Sequence, residues 1–204
     1  MNFSALIFAS ALLLVSCSKH EVSVKELAGW VRDPANGLVD SVEAGPFVLS
    51  MQYLPSRLLD AVAHARHRQT TAQQGLSVFE LAIRSTAQES ADPVYSGIAD
   101  LDGFTRRMQS LAFTIENDVK LRLGSRTVDC LSAAFQQDVG LRTKRSVRLV
   151  FPVTEQELVN SQEVVVEWSD KDYATGKSLF QCDLSKLAVM PEVAPEVNSS
   201  ASGQ

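Results

Sequence analysis

The stretch Val78-Phe-Glu-Leu-Ala-Ile-Arg84 decides the fold class, because its side chains alternate between apolar and polar types. In an extended chain, Phe79, Leu81 and Ile83 lie on one side and Glu80 lies on the other. A period of two is typical of a β-strand with one buried face. The chain therefore contains at least one strand of an amphipathic sheet.

Further strand candidates lie on both sides of this segment and share short apolar runs that end at turn residues. They are Phe47–Tyr53, Thr127–Phe135, Ser146–Phe151, Glu163–Trp168 and Leu179–Leu184. Because short turns join the late strands, the sequence predicts a mainly antiparallel sheet.

Helical spacing appears in three longer segments. Apolar residues recur three and four apart over Val24–Val31, over Arg57–Arg68 and from Phe104 to about Lys120. Ser56 is the expected N-cap of the second helix, and Asp100 or Asp102 that of the third. The sequence Thr154-Glu-Gln-Glu157 has the form of a capping box and predicts a fourth, short helix.

Together these segments predict an α+β fold with two or three main helices and a mainly antiparallel sheet. The density of strands over residues 127–184 indicates a small sandwich in the C-terminal half, of the immunoglobulin type. We expect one globular domain over residues 24–190. Residues 191–204 contain Pro, Glu, Ser, Gly and Asn without an aromatic residue and predict a disordered tail.

Composition excludes several classes of protein. The 204 residues are 45% hydrophobic and 21% charged, which fits one ordinary globular domain rather than a polytopic membrane protein or a disordered chain. The 24 acidic and 19 basic residues give a net charge of −5. Nucleic acid is therefore not the expected main partner, because phosphate binding needs a positive surface.

The N-terminus carries an export signal. The run from Phe3 to Val15 is uncharged and strongly apolar, and it is too short to span a bilayer. It ends in Leu14-Val15-Ser16-Cys17, which resembles the lipobox of bacterial lipoproteins. Met1-Asn2 departs from the usual pattern, because it has no Lys or Arg. The alternative is an ordinary signal peptide or an anchor helix with a chance cysteine.

The lipobox resemblance implies that residues 1–16 are a signal peptide and that Cys17 carries a diacylglycerol. The new amino terminus usually receives a further acyl chain, such as palmitate. Two or more acyl chains hold a protein stably at a membrane. Residues 17–23 are then a lipidated tether. Ser18 is not the aspartate that retains lipoproteins at the inner membrane, so the outer membrane is the expected location, facing either the periplasm or the exterior.

A second resemblance lies in the middle of the chain. Trp30-Val-Arg-Asp-Pro-Ala-Asn-Gly-Leu38, followed by Gln52-Tyr-Leu-Pro55, resembles a pattern in uncharacterised lipoproteins of Bacteroidetes. The stretch Glu116-Asn-Asp-Val-Lys120, followed by Cys130, is similar to the same group. The resemblance implies a lipoprotein and no particular chemistry.

Two cysteines remain beyond Cys17. Cys130 and Cys182 both lie in predicted strands, and an exported protein meets an oxidising environment. Either they form a disulfide or they are two buried free thiols. Cys130 has no histidine near it in sequence that would activate it as a nucleophile.

The strongest catalytic-looking cluster is Asp60, His64 and His67. On a helix, Asp60 and His64 share a face and His67 lies about one turn further on, so a metal such as zinc is one interpretation. The zinc-protease signature, however, needs histidines four apart with a glutamate between them. The simpler interpretation is a solvated helix face, and we expect no cofactor.

The segment Arg142-Thr-Lys-Arg-Ser-Val-Arg148 carries four positive charges. It is either a site for anionic headgroups and sugar phosphates or a charged turn that leads into a strand. In the second interpretation, the expected acidic partners are Glu163, Glu167, Asp170 and Asp172.

The large aromatic residues also allow two interpretations. Either they line a carbohydrate or peptide groove, or they pack in the core. The residues are Trp30, Tyr53, Trp168 and Tyr173.

Two function classes follow from these observations. The first is a membrane-anchored, non-enzymatic lipoprotein that acts as a binding or assembly subunit of the cell envelope, with an envelope protein as partner. The alternative is an envelope hydrolase or metal-dependent enzyme whose site assembles only in the fold. A small inhibitor of an envelope enzyme would have the same sequence features.

Overall fold

The computed structural model describes residues 21–66, 75–86, 92–136 and 142–194. Cys17, the predicted signal peptide, His67 and residues 195–204 lie outside these ranges. In chain order the strands and α-helices are β1 (Glu21–Val22), α1 (Val24–Arg32), β2 (Val39–Ala44), β3 (Phe47–Leu54), α2 (Ser56–Ala65), β4 (Ser77–Ser85), α3 (Leu101–Phe113), β5 (Val119–Leu123), β6 (Arg126–Asp129), β7 (Ser132–Phe135), β8 (Lys144–Phe151), α4 (Glu155–Asn160), β9 (Val164–Ser169), β10 (Lys177–Cys182) and β11 (Glu192–Val193). Short 3₁₀ turns cover Pro34–Asn36, Pro93–Tyr95, Ile115–Asp118 and Leu184–Val189.

Two antiparallel sheets form the body of the protein. The first has the order β2-β3-β4-β8-β7, and the second has the order β10-β9-β5-β6. Their buried side chains belong to one hydrophobic core. The predicted α+β class with a mainly antiparallel sheet is confirmed, and the two sheets are arranged like a sandwich. Since β2, β3 and β4 belong to the five-stranded sheet, the sandwich uses both halves of the chain and not residues 127–184 alone.

The segment Val78–Arg84 lies in β4, the central strand of the five-stranded sheet. Phe79 on β4 lies opposite Tyr53 on β3 and Leu149 on β8. The rings of Tyr53 and Phe79 are 5.1 Å apart, and those of Phe79 and Phe151 are 5.7 Å apart. These side chains are almost fully buried, so the period-two pattern faces the core as the sequence predicted.

Two predicted elements are wrong in their extent. The helix predicted from Phe104 to Lys120 ends at Phe113, and a 3₁₀ turn then leads into β5. Val119 fits the helical spacing as well as the alternation of β5, so the apolar pattern alone does not separate them. The single strand predicted over Thr127–Phe135 is interrupted at Cys130 and Leu131, because β6 and β7 belong to different sheets.

Helix starts were predicted with mixed success. The capping box of α4 is present, with Thr154 and Glu157 bonding each other's backbone N–H groups, and Asp100 caps α3. Ser56, by contrast, is not an N-cap, because α2 begins at Ser56 after Pro55 and has no side-chain cap of its own. Instead, the Glu155 carboxylate at the start of α4 accepts the Ser56 backbone N–H at 3.3 Å. A residue from another element therefore caps α2.

The described fold extends slightly beyond the domain that the sequence predicts. Ser23 and Glu26 form a capping box at the start of α1, inside the predicted tether. The β1 strand pairs in parallel with β11, which lies in the first residues of the predicted tail. Residues 21–23 and 191–194 therefore belong to the folded part of the chain.

In the described ranges, no helix combines the length and the apolar character that crossing a bilayer requires.

Candidate functional site

The outer face of the five-stranded sheet, which points away from the core, changes character along its length. On β8 this face carries, in order, Lys144, Ser146, Arg148 and Val150. Residues two apart on a strand are about 6.8 Å apart, so the face passes from charged to apolar over roughly 20 Å. Both ends of this face border a cavity.

The charged end is a cavity of about 420 Å³, which we call the basic cleft. It is lined by Arg32, Glu80, Gln136, Arg142, Thr143, Lys144, Ser146 and Arg148. Strand alternation explains part of this set, because Glu80 and Arg148 lie opposite each other on β4 and β8 and point outward. Arg32 comes from the last turn of α1, a distant part of the sequence.

Glu80 is the one carboxylate among the described lining residues of the basic cleft, and it is already bonded. It accepts hydrogen bonds from Lys144 Nζ at 3.3 Å, Ser146 Oγ at 3.1 Å and Gln136 Nε2 at 3.3 Å. Its negative charge is thus matched by Lys144. Glu80 forms no ion pair with the other cations of the cleft, which are Arg32, Arg142 and Arg148.

Three arginines of the basic cleft are exposed and form no ion pair with another described residue. Arg32, Arg142 and Arg148 have no ion pair with any residue in the described ranges. Their guanidinium groups therefore offer several N–H donors in a geometry that matches carboxylate and phosphate. In a chain of net charge −5, this is a local concentration of positive charge.

The other end of the outer face borders a cavity of about 340 Å³, which we call the apolar pocket. It is lined by Tyr53, Leu54, Ser56, Leu59, Leu76, Ser77, Val78, Leu131, Ser132, Ala134, Arg148 and Val150. Leu131 is 58% exposed although it is a large apolar residue. Arg148 lines both cavities, so the basic cleft and the apolar pocket are adjacent, and we call the two together the outer-face groove.

A small polar cluster lies at the rim of the apolar pocket. Tyr53 Oη donates to Glu155 Oε2 at 2.8 Å, and Ser56 Oγ donates to the same oxygen at 3.2 Å. Burial, and then the charge of Glu155, raises the pKa of Tyr53 far above its ordinary value. Tyr53 is therefore a neutral donor. The cluster holds α4 against the start of α2.

The basic segment predicted from the sequence is divided between the two faces of β8. Arg142, Lys144 and Arg148 line the basic cleft, whereas Arg145 points inward and is buried with Asp92. Arg145 Nε lies 2.9 and 3.0 Å from the two Asp92 oxygens. Burial alone would raise the pKa of Asp92, but Arg145 and the backbone N–H groups of Val94 and Arg142 outweigh it and lower that pKa.

The acidic partners expected for the basic segment are wrong. Glu163 pairs with Arg122 at 3.7 Å, and Glu167 pairs with Lys177 at 2.6 Å, both in the four-stranded sheet. Asp170 accepts backbone N–H groups of its own loop. The acidic partners in the structure are instead Glu80, which pairs with Lys144, and Asp92, which pairs with Arg145.

The aromatic residues considered for a groove are mostly core residues. Tyr53, Trp168 and Tyr173 are buried, and the rings of Trp168 and Tyr173 lie 6.4 Å apart. The Arg107 guanidinium lies 4.4 Å from the centre of the Tyr173 ring. Trp30 is half-buried against the same core. Of these four, Tyr53 alone reaches the outer-face groove, at its rim.

The possible metal ligands do not meet in a cluster within the described ranges. No group of three or more His, Cys, Asp or Glu side chains suited to a metal is found there. His64 is exposed at the end of α2, and His67 lies outside the description. Asp60 has one buried carboxylate oxygen without a hydrogen-bond partner in the described part of the chain.

Of the two alternatives for Cys130 and Cys182, the structure has the second, because both are free thiols. In the four-stranded sheet, Cys182 on β10 is in register with Arg126 on β6, three strands away. Three strand spacings are about 14 Å, and a disulfide allows at most about 7 Å between Cα atoms. Burial raises the pKa of Cys130 to about 11 and that of Cys182 to about 12. Both thiols are therefore poor nucleophiles near neutral pH.

Comparison of the sequence with models of known protein families gives no match, and comparison with curated proteins gives none either.

Proposed function

We propose that this protein is a non-enzymatic binding or assembly subunit of the bacterial cell envelope. A diacylglycerol on Cys17 holds it at a membrane, with the outer membrane favoured, and an envelope protein is its partner. The outer-face groove is the surface on which it binds its ligand. The lipobox motif supports the anchor, and the groove supports the binding role.

The observation that carries this proposal is the unneutralised positive charge beside an apolar cavity. Elsewhere on the surface, Arg126 pairs with Glu157 at 2.9 Å. In the basic cleft, Arg32, Arg142 and Arg148 have no such partner among the described residues. Converging polar groups beside a largely apolar cavity are the usual features of a ligand site.

The position of the groove relative to Cys17 fits an anchored protein. The seven residues from Cys17 to Val24 reach at most about 25 Å when extended. Helix α1 then runs for nine residues, about 13 Å, and ends at Arg32 in the basic cleft. The cleft is thus kept within roughly 40 Å of the lipid on Cys17. Confinement at this distance raises the local concentration of membrane-bound ligands.

The experiment is an affinity purification of the lipidated protein from its own envelope in mild detergent. Proteins that co-purify are identified by mass spectrometry and compared with those from a Cys17→Ser variant. We expect a stoichiometric envelope partner that is absent from the Cys17→Ser sample. A lipidated, intact protein that repeatedly purifies alone would contradict the assembly role.

Variants of the groove make this experiment specific. Arg142→Gln combined with Arg148→Gln removes two exposed charges from the basic cleft. Arg122→Gln is the matched control, because Arg122 is a partly exposed arginine of the four-stranded sheet that pairs with Glu163. We expect the double variant to lose the ligand of the groove, whether a protein or a small molecule that co-purifies, and the control to retain it. If both variants retain the envelope partner equally, that partner does not bind in the groove.

A further inference from the structure

We propose that the outer-face groove binds a single-chain lipid with a phosphate headgroup, with the phosphate in the basic cleft and the hydrocarbon chain in the apolar pocket. This inference rests on the proposed binding role of the groove and names its ligand class. Three separate properties of the groove support it: the arrangement of the arginines, the size of the apolar pocket and the connection between the two cavities.

The arginines define the headgroup. Arg32, Arg142 and Arg148 come from the end of α1, from the segment before β8 and from the middle of β8, and all three line the same cavity. A phosphate has several anionic oxygens and can accept N–H donors from more than one guanidinium fork at once. In this structure Glu80 is bonded by Lys144 and two neutral donors and by none of these arginines.

The size of the apolar pocket defines the number of chains. Its volume of about 340 Å³ equals roughly eleven groups of the size of a water molecule, at about 30 Å³ each. A methylene group is of similar size, so this volume suits one chain of about a dozen carbons. Leu59, Val78 and Val150 form its apolar walls.

The polar groups of the apolar pocket are largely occupied within the protein. Ser77 Oγ donates to the carbonyl of Val153 at 2.7 Å, and Ser56 Oγ donates to Glu155 at 3.2 Å. An acidic peptide in this pocket would leave its backbone N–H and C=O groups without good partners, at a cost for each unpaired group. A hydrocarbon chain has no such groups, and it would also cover the exposed Leu131 side chain.

The connection between the cavities defines the order of the two ligand parts. Arg148 lines both cavities, and Val150 is the next residue on the same face of β8. A phosphate at Arg148 therefore places the first carbons of its chain at the entrance of the apolar pocket, about 7 Å away along the strand.

The test uses dodecyl phosphate with a photoreactive diazirine near the end of its chain. The lipidated full-length protein in phosphatidylcholine vesicles is irradiated with this probe, and the crosslinked residues are mapped by mass spectrometry. We expect crosslinks at Leu131 and Val78 and in the first turn of α2. Unlabelled dodecyl phosphate should compete, whereas dodecanol and inorganic phosphate at the same concentration should compete at least about tenfold less, because each lacks one of the two ligand parts.

Two variants and their controls test each half of the groove. Arg142→Gln with Arg148→Gln should reduce crosslinking about tenfold or more, and Arg122→Gln should leave it unchanged. Leu131→Asp changes an exposed side chain of the apolar pocket and should have a similar effect. Leu179→Asp, at an exposed position of β10, should have none. Crosslinks scattered over the surface, or equal crosslinking in all variants, would overturn the proposal.

The results also distinguish this inference from the proposed function. If the envelope partner is captured through the groove and the probe does not crosslink there, the lipid is wrong and the binding subunit stands. If the probe crosslinks as expected but Cys17 carries no lipid, the lipid site stands and the anchor is wrong. An acidic envelope protein that needs the same arginines and excludes the probe would replace the lipid as the ligand.

Discussion

Arg145 and Arg148 are three residues apart on the same strand and have opposite environments. Because side chains alternate along β8, Arg145 points into the core and Arg148 points into the outer-face groove. Arg145 is paired with a carboxylate, Asp92, whose side chain has no exposed surface. Arg148 is exposed and has no ion-pair partner within the described ranges. A run of basic residues in sequence is thus not one functional unit.

The difference separates stability from binding. A buried charge must be paired, since an unpaired one would lose its hydration without compensation. Arg145 therefore holds the segment that contains Asp92 and Pro93–Tyr95 against the five-stranded sheet. An exposed arginine such as Arg148 contributes little to the fold and keeps its N–H groups for a ligand.

The largest effect expected is from breaking the buried pair. Arg145→Ala or Asp92→Ala should lower the free energy of unfolding by about 3–5 kcal/mol, because each leaves one buried charge without its partner. Arg148→Ala should change it by less than about 0.5 kcal/mol. Urea unfolding followed by circular dichroism measures all three. If Arg145→Ala and Arg148→Ala lower the unfolding free energy by similar amounts, the two faces of β8 do not divide stability from binding.

Two neighbouring apolar residues on β8 allow the same comparison between its core face and its groove face, without charged groups. Leu149 faces the core and is fully buried, whereas Val150 lines the apolar pocket and is half-buried. Leu149→Ala should cost about 2–4 kcal/mol of unfolding free energy, and Val150→Ala about 1 kcal/mol or less. The same unfolding measurement tests this order, and a larger loss for Val150→Ala would contradict the assignment of faces.

Acid should weaken the fold through carboxylates whose pKa is lowered in the folded protein. Asp92 is one, and Glu157 is the other, with its pKa lowered to about 2 by the Thr154 backbone N–H and by Arg126. Protonation then favours the unfolded chain, so their contribution is complete above about pH 4.5 and is lost as the pH falls toward 2. We expect urea midpoints that fall between pH 5 and pH 3.

Two variants sharpen this pH dependence. Glu157→Gln should flatten the loss of stability below pH 4.5, because it removes one of the titrating groups. Arg148→Gln should leave the pH dependence as it is, since Arg148 faces neither carboxylate. Urea midpoints that do not change between pH 5 and pH 3 would argue against both paired carboxylates.

The smallest effect concerns the two thiols, Cys130 between β6 and β7 and Cys182 on β10. Cys130 and Cys182 are free, and burial raises the pKa of both. A thiol reagent at pH 7.5 should therefore label neither quickly in the folded protein and both after denaturation without a reductant. The mass of the labelled protein measures this. If the denatured protein takes label only after reduction, Cys130 and Cys182 form a disulfide and the prediction is wrong.

The sequence predicts the sheet better than the site, for a physical reason. Strong local patterns, such as the alternation of Phe79, Leu81 and Ile83 or the spacing in α1, specify elements directly. Strand β2 was missed because its sequence, Val39-Asp-Ser-Val-Glu-Ala44, is a half-exposed edge strand with few apolar residues. Local patterns of that kind do not distinguish an edge strand from a loop.

The outer-face groove depends on pairings that local patterns do not contain. Arg32 and Arg148 are distant in sequence and meet in one cavity through the position of α1 on the fold. The register of β4 against β8 sets Glu80 opposite Arg148 and Arg145 opposite Ile83. Alternation along residues 144–150 does show that Arg145 and Arg148 face opposite sides, and this was the available signal.

The most direct test of the anchored binding subunit is the intact mass of the protein extracted from the membrane fraction of its own cells. We predict a chain that begins at Cys17 and carries the mass of a diacylglycerol with or without a further acyl chain. The Cys17→Ser variant should lack this modification and should leave the membrane fraction or remain unprocessed. An unmodified Cys17 in a chain that still begins at Met1, or a chain cut elsewhere and free of lipid, would contradict the account.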